Sequence, residues 1–514
     1  MTAYTLYLVT DSNLVHESST FLKQVEDSIN NGATIVQLRE KSLLTLDFIK
    51  RAEEVHKLTK AKNIPLIIND RIDVALAIDA EGVHVGQDDM PAPLARKLLG
   101  PSKILGVTCS NPKEVEEVVK QGVADYVGLG TVYPTATKTN VSDPEGTGPI
   151  GIRKMLHVLK KHNQKNPSSP IKCVAIGGIN HFNASKVLFQ CQVPQQKLDG
   201  LAVVSCIMSS PDAGRATKEL RGIINSPSIW DKIETTDSKS DDLSATMKCL
   251  TQYKPMVHHI TNNVVKNFSA NVCLAIGASP IMSELTDEYR ELSVLPNIGL
   301  LMNLGTPSSA IMDAFLTAMK MYNSTGKPIV FDPVAGGASK ARLQCCRKIL
   351  NAGQVSVIKG NVGEISAIYS LTSDYDSMEH DQVLMRGVDS NVELQPEIII
   401  SMGKHISTDF KCVVVVTGAV NYVIDHDRHC AIPGGDALMG YITGTGCSLG
   451  SVIAAVLACG ADRETDKINL YNLTVSAVEL YNIAGKRASA TATTPGSFMT
   501  DFIDSLYTLT HKTA

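Results

Sequence analysis

At 514 residues the chain is too long for one core and is expected to hold two or three domains. Hydrophobic residues make up 44% and charged residues 19%, a globular balance that excludes a disordered chain. A formal net charge of -4 with no long basic run excludes nucleic acid or an anionic membrane as the main partner. No apolar run reaches the ~20 residues that span a bilayer. Met1 to Thr10 read as a strand without the basic start of a secretory leader, so a cytoplasmic enzyme is expected. Twelve cysteines show no CxxC spacing, which fits reduced thiols rather than a zinc site or a disulfide framework.

Along residues 1–225, short apolar runs alternate with amphipathic stretches. Strands are predicted at Thr5–Thr10, Thr34–Arg39, Pro65–Asn69, Gly82–Val85, Ile104–Thr108, Tyr126–Leu129, Lys172–Ile176 and Gly200–Val204. Helix-like segments such as Leu46–Lys62, Pro112–Gln121, Ile150–His162 and Asp212–Ile224 follow them. Eight regular β–α repeats predict a parallel sheet closed into a (β/α)8 barrel rather than an open doubly wound sheet. Thr139–Gly148 is polar, with two glycines and a proline, and reads as a surface loop. Residues 226–242 (SPSIWDKIETTDSKSDD) lose periodicity and read as a linker. From 243 to 514 a second α/β pattern begins, with buried parallel strands expected at Leu300–Leu304, Pro328–Phe331, Val355–Ile358 and Cys412–Val416. Helices are expected at Ser308–Tyr322 and Ser448–Ala461, giving a layered α/β domain.

Barrels of this kind carry function at the C-terminal ends of their strands. There the sequence places Gln37, Arg39 and Lys41, then Asn69-Asp70, Gly86 to Asp89, Thr108, Thr135 to Lys138, Gly177-Gly178 and Ser205. Cations beside carboxylates suit a Mg²⁺-bound diphosphate, and glycines after the last strands suit a phosphate held by backbone N–H groups. His84 and Cys206 read as packing residues.

These segments, QLREK, IND, GVHVGQDDM, YVGLGTVYPTATK, AIGGI and GLAVVS, together resemble thiamine-phosphate synthase over residues 4–224. The resemblance implies an enzyme that joins a pyrimidine-methyl diphosphate to a thiazole phosphate with release of pyrophosphate. It implies that Gln37, Arg39, Lys41, Asn69, Thr108 and Lys138 hold the pyrimidine diphosphate and that Asp70 and Asp89 bind Mg²⁺. Thr135, Thr137, Gly178 and Ser205 would hold the thiazole phosphate. Thr108 stands where the family often has serine, so a hydroxyl is kept. No protein nucleophile is needed, because the aminopyrimidine stabilises the cation left when the diphosphate departs.

In the second half, Gly444-Thr445-Gly446-Cys447 enters an apolar helix, an arrangement that binds anions. Asn361 and Glu364, within NVGE, follow an apolar strand, and Thr417 closes another. The segments PMVHHITNNVVKNFSANVCLAIGASPIM, PIVFDPV, IKGNVGEI, RGVDS, VVVVTG and ALMGYITGTGCSLGSVIAAVLA resemble hydroxyethylthiazole kinase, of the ribokinase-like fold. The resemblance implies ATP-dependent phosphorylation of the thiazole's hydroxyethyl arm. Met282 and Gly446 would contact the thiazole, while Lys359, Asn361, Thr417 and Gly444 would contact ATP. Asp332 and Glu364 would organise Mg²⁺.

Cys447 stands where ribokinase-like enzymes commonly carry an aspartate base. A helix N-terminus favours a thiolate, so an auxiliary base is expected there. Two departures from the family pattern bear on ATP: AGGAS where a GAGAT-like turn is usual, and Lys359 where arginine is common. Thr372–His380 and Ile398–Phe410 read as local expansions. His258 and His259 lack carboxylate or cysteine partners at metal spacing and read as strand-end packing. The expected partners are the small-molecule substrates and further copies of the chain, as a trimer or hexamer. Two alternatives stand beside this reading: an inactive kinase domain kept as an oligomerising scaffold for a working synthase, and an isomerase-type phosphate-binding barrel.

Overall fold

The computed structural model describes residues 4–137, 144–232, 243–373, 375, 385–386, 389–390, 394–460 and 469–512. The chain divides into two compact units, Met1–Ser228 and Ile229–Ala514. Lys138 and residues 139–143 of the expected surface loop lie outside the described residues, as do 233–242 of the linker, 374 and 376–380 of the first expansion, and 461 at the end of the expected helix 448–461.

In the first unit the barrel strands are β1 (Leu6–Val9), β2 (Ile35–Leu38), β3 (Leu66–Asn69), β4 (Gly82–Val85), β5 (Ile104–Cys109), β6 (Tyr126–Gly130), β7 (Lys172–Ile176) and β8 (Gly200–Val203). All pair in parallel with their sequence neighbours, and β8 closes on β1 through Leu6–Leu201 and Leu8–Val203. The period-two geometry of a strand sorts their side chains. Leu6 and Leu8 pack outward beneath the helices, while Tyr7 and Val9 point inward with Ile35, Ile67, Tyr126, Val174 and Ala202. Gly106 admits the Tyr126 ring: a Cβ there would lie 2.1 Å from its Cζ.

The helices between strands begin on local signals. Thr20 Oγ1 accepts the Lys23 N–H at the start of Phe21–Asn30, and Asn111 Oδ1 accepts the Glu114 N–H at the start of Pro112–Gln121. Asp212 caps Ala213–Asn225 in the same way. Each cap satisfies donors the first turn leaves open, at about 1 kcal/mol. The helix after β6 is Gly148–Lys165, starting two residues before the expected Ile150.

The second unit is built on one eight-stranded sheet. Its strands are β9 (Met256–Ile260), β10 (Ser279–Ile281), β11 (Ile298–Asn303), β12 (Ile329–Asp332), β13 (Val357–Asn361), β14 (Val413–Thr417), β15 (Val420–Ile424) and β16 (His429–Pro433), in the order β10-β9-β11-β12-β13-β14-β15-β16. Pairing is parallel from β10 through β14 and antiparallel across β15 and β16. The helix Thr445–Cys459 is buried on nearly every side and lies across β9, β11 and β12. Small residues allow that approach: a Cβ on Gly299 would sit 2.6 Å from the Ala454 carbonyl, and one on Gly450 would sit 2.8 Å from Leu301 Cδ1. Ile398–Phe410 belongs to the helix Pro396–Phe410, which buries Ile399, Met402, Ile406 and Phe410 beside β14. That segment, expected as an expansion, is thus part of the packed layer.

His258 and His259 lie inside β9 rather than at its end, both fully buried. His259 Nδ1 is 2.9 Å from the Val257 carbonyl and Nε2 is 2.9 Å from Ser451 Oγ. The carbonyl can only accept, so Nδ1 carries the proton and Nε2 accepts from the serine. Burial pushes the His259 pKa down to about 4.

Candidate active sites

At the C-terminal ends of the barrel strands a cavity of about 520 Å³ opens, lined among others by Gln37, Arg39, Lys41, Asn69, Asp70, Asp89, Thr108, Thr135, Thr137, Gly178 and Ser205. Every barrel residue assigned from the sequence to a substrate or to Mg²⁺, Lys138 apart, is therefore brought to one concavity. β2 delivers the cations. Arg39 Nη1 donates to Asp11 Oδ2 at 3.0 Å and Nη2 donates to the Thr137 carbonyl at 3.4 Å, which fixes the guanidinium. Lys41 Nζ donates to Asp70 Oδ2, and Asn69 Nδ2 donates to Asp70 Oδ1 at 2.7 Å.

Asp70 takes a left-handed backbone (φ 63) just past β3, and its N–H donates to the His84 carbonyl at 2.9 Å. Asp89 Oδ2 accepts the Gly86 N–H at 2.7 Å. Burial raises the Asp70 carboxyl above its ordinary range, and the neighbouring Asp89 carboxyl raises it further against the opposing pull of Lys41. Two carboxyls competing for one proton are a pair that a divalent cation relieves. The tight turns after β6 and β7 lie together, with Tyr133 and Pro134 against Gly178. A Cβ on Gly178 (φ 64) would meet the Pro134 carbonyl at 2.7 Å. Ser205 opens the short helix Ser205–Met208 after β8.

The cavity floor is a chain of polar groups that the sequence pattern does not reveal. Gln37 Nε2 donates to Tyr7 OH at 2.9 Å, Tyr7 OH lies 2.7 Å from Tyr126 OH, and Tyr126 OH lies 2.9 Å from His84 Nδ1. His84 Nε2 lies 2.8 Å from Thr108 Oγ1. His84, expected as a packing residue, is thus a cavity-lining link in a network joining β2 to β5. Nothing in the runs TLYLV and YVGLG signals that two phenols would meet inside the barrel. Asp11, which anchors Arg39, could have been found as the first polar pair (Thr10-Asp11) after β1. Cys206 is packed against the barrel core, and burial pushes its thiol up to about 12.

In the second unit, Asn303, Asp332 and Lys359 converge from β11, β12 and β13. Lys359 Nζ donates to Asp332 Oδ2 at 2.8 Å and to the Gly446 carbonyl at 2.7 Å. Asn303 Nδ2 donates to the same Asp332 oxygen at 3.0 Å. Asp332 Oδ1 is buried without a hydrogen-bond partner among the described residues. A buried carboxylate oxygen left bare costs a few kcal/mol, so the site suits a bound cation. Asn361 and Glu364 form a capping box at the helix Val362–Tyr369, and Glu364 Oε1 also accepts the Ala335 N–H at 2.9 Å. Burial, and then Asp332, push the Glu364 carboxyl up to about 7.

Lys359, expected to face ATP, is 3% exposed, and its ammonium instead ties Asp332 to the glycine-rich turn. Gly444 (φ 99) caps the helix Thr445–Cys459, and a Cβ on Gly446 would meet nothing within 4 Å, so that turn keeps an open face. Thr417 ends β14, and Met282 follows the edge strand β10, half-buried. Cys447 departs from the thiolate expected at a helix start. Burial and the Asp332 charge push its thiol up to about 11, against Lys359 and a hydrogen bond from Asn303. The protonated form is therefore favoured at neutral pH.

The barrel gathers fixed cations and paired carboxylates for a phosphorylated substrate, and the layered unit gathers a buried acid–lysine pair beside a glycine-rich helix start. Together they define a two-site phosphate-handling enzyme. Residues 6–207 match the thiamine monophosphate synthase family and residues 247–512 the hydroxyethylthiazole kinase family. The chain is 41% identical over an alignment 537 positions long to the thiamine biosynthetic bifunctional enzyme of Saccharomyces cerevisiae, covering 99% of this chain and 96% of that one. Its first part is 46% identical to thiamine-phosphate synthase of Clostridium novyi (43% of this chain, 98% of that one). Its second part is 36% identical to hydroxyethylthiazole kinase of Moorella thermoacetica (50% of this chain, 89% of that one). The chain belongs to the bifunctional thiamine biosynthetic enzymes, which carry a thiamine-phosphate synthase and a hydroxyethylthiazole kinase in one polypeptide.

Proposed function

We propose that the second unit phosphorylates 4-methyl-5-(2-hydroxyethyl)thiazole with ATP. The barrel then joins that phosphate to 4-amino-2-methyl-5-pyrimidinylmethyl diphosphate, giving thiamine monophosphate and pyrophosphate. The observation that carries the synthase reading is the convergence of Arg39, Lys41, Asn69, Asp70 and Asp89 on one cavity with Thr135, Thr137, Gly178 and Ser205. Arg39 and Lys41 bind the diphosphate and absorb charge as it leaves, with Lys138 added from its position in the sequence. Thr108 and the polar chain behind it orient the aminopyrimidine, so that its ring nitrogens and amino group stay in the register that stabilises the developing cation. The thiazole nitrogen attacks from the wall formed by Thr135 and Gly178.

Asp70 with Asp89, and Asp332 with Glu364, are the residues that would hold Mg²⁺. Bound there, Mg²⁺ supplies neutralisation of phosphate charge at each site. In the kinase, Asn361, Thr417 and the Gly444–Gly446 turn bind ATP, and Lys359 keeps Asp332 and that turn in one geometry. Met282 contacts the thiazole. Cys447, as a thiol, orients the alcohol, while the N–H groups of the helix start stabilise the transferring phosphoryl group. We assign the synthase to residues 1–225 and the kinase to 243–514, joined through 226–242, in a cytoplasmic homo-oligomer, a trimer or hexamer. No helix among the described residues is long and apolar enough to cross a membrane. No observation favours the scaffold alternative.

Purified protein supplied with MgATP, the pyrimidine diphosphate and the unphosphorylated thiazole alcohol tests the proposal. Thiamine monophosphate should form and should disappear when ATP is omitted. Product formed only from thiazole phosphate would overturn the kinase half.

A further inference from the structure

His258 is a buried histidine to which neither reaction gives a part. It is fully buried in β9, one strand in from the sheet edge, and its ring sits between Tyr289 (centroids 4.9 Å apart) and Tyr322 (5.7 Å). Nε2 lies 2.9 Å from the Ser283 carbonyl and Nδ1 lies 3.0 Å from Tyr322 OH. A carbonyl only accepts, so Nε2 carries the proton and Nδ1 accepts from the tyrosine hydroxyl. Neutral imidazole in that one tautomer satisfies both contacts, and burial holds the pKa of His258 below its ordinary value, favouring the neutral ring.

The carbonyl it holds belongs to the strip that leaves β10 as Met282-Ser283-Glu284-Leu285. The strip is tethered at a second point, where Lys266 Nζ donates to Glu284 Oε1 at 2.7 Å. It is also folded on itself by the Leu285 N–H donating to Ser283 Oγ at 3.2 Å. Edge strand β10 has a ladder partner on one side only, so the sheet alone does not fix the residues just past its end. A tether from the neighbouring strand does.

We infer that His258, oriented by Tyr322, is a positioning residue for the thiazole alcohol: it fixes the Met282–Ser283 strip and so sets the wall of the thiazole pocket. The inference rests on the assignment of Met282 to that pocket. Asp332 and Lys359 lie on other strands and Glu364 on the helix Val362–Tyr369, so ATP handling should be insensitive to it.

The experiment is steady-state kinetics of the full-length chain, varying thiazole alcohol and ATP separately, with barrel activity on preformed thiazole phosphate as the control for intact protein. His258→Ala loses a buried hydrogen bond to the strip. It should raise KM for the alcohol about tenfold and leave KM for ATP within about twofold. His258→Gln, whose amide can still donate to the Ser283 carbonyl, should recover most of the loss. Tyr322→Phe removes the partner of Nδ1 with little change in volume, and should raise the alcohol KM about threefold even if the alanine variant does not fold. An alcohol KM that stays at the wild-type value in Tyr322→Phe and in His258→Ala would overturn the inference. So would equal losses for both substrates, which mark a general packing role. Wild-type protein that does not phosphorylate the alcohol would overturn the kinase reading, and this inference with it.

Discussion

Ala335 stands in the left-handed region (φ 54) where the family pattern usually has glycine, and it is buried. Its conformation is held because its N–H reaches Glu364 Oε1, so the turn stores about 1 kcal/mol of backbone strain at the wall of the kinase site. Ala335→Gly should relieve it. Thermal unfolding of the second unit should move upward by a few degrees at most, with kinase turnover kept, whereas a fall in melting temperature would show that the turn is unstrained. His259 makes a prediction of opposite character. Its folded pKa of about 4 lies below the ordinary 6.5, so between those values the unfolded chain binds the extra proton. The stability it contributes is therefore complete above about pH 6.5 and is lost as pH falls through that range. At pH 5 the second unit should be about 2 kcal/mol less stable than at pH 7.5 from this residue alone. Denaturant midpoints at the two pH values check it, and His259→Asn should flatten the difference.

Loops after strands carry most of the chemistry, and their geometry depends on contacts between elements. Gly178 shows this: the turn after β7 sits against the turn after β6 so closely that a methyl group has no room. Gly178→Ala should push the Tyr133–Thr135 segment away and raise KM for thiazole phosphate by more than about tenfold, leaving kinase activity untouched. Comparing the two activities in the same preparation checks it, and an unchanged synthase would mean that the two turns move freely. The barrel was legible in the sequence because each strand is a mostly apolar run between turn signals, and β4 and β7 have the very bounds read from them. In the second unit the four central strands were legible for the same reason. Edge strands β10 and β16, and β15 between β14 and β16, were not, since they are short or carry polar residues along exposed sides. Site residues at strand ends could be picked out by their charge. Tyr7, Tyr126, His84 and Asn303 could not, because a polar tip on a buried strand reads as core until its partner across the sheet is known.

At the scale of the whole molecule, the chain is two units, each with its own core and its own complete set of charged groups. The residues assigned to the barrel site all belong to Met1–Ser228, and those assigned to the kinase site all belong to Ile229–Ala514. The two reactions should therefore be separable by single substitutions and should add back together through a diffusing intermediate. Asp70→Asn, which removes one of the paired barrel carboxylates, should abolish the synthase and spare the kinase. Asp332→Asn, which removes the buried carboxylate beside Lys359, should do the reverse. The decisive measurement is thiamine monophosphate made from the thiazole alcohol, MgATP and the pyrimidine diphosphate by each variant alone and by the two mixed. Each variant alone should give no product and the mixture should restore it. Product from Asp332→Asn alone, or none from a mixture whose members each retain their other activity, would contradict two independent sites acting in sequence.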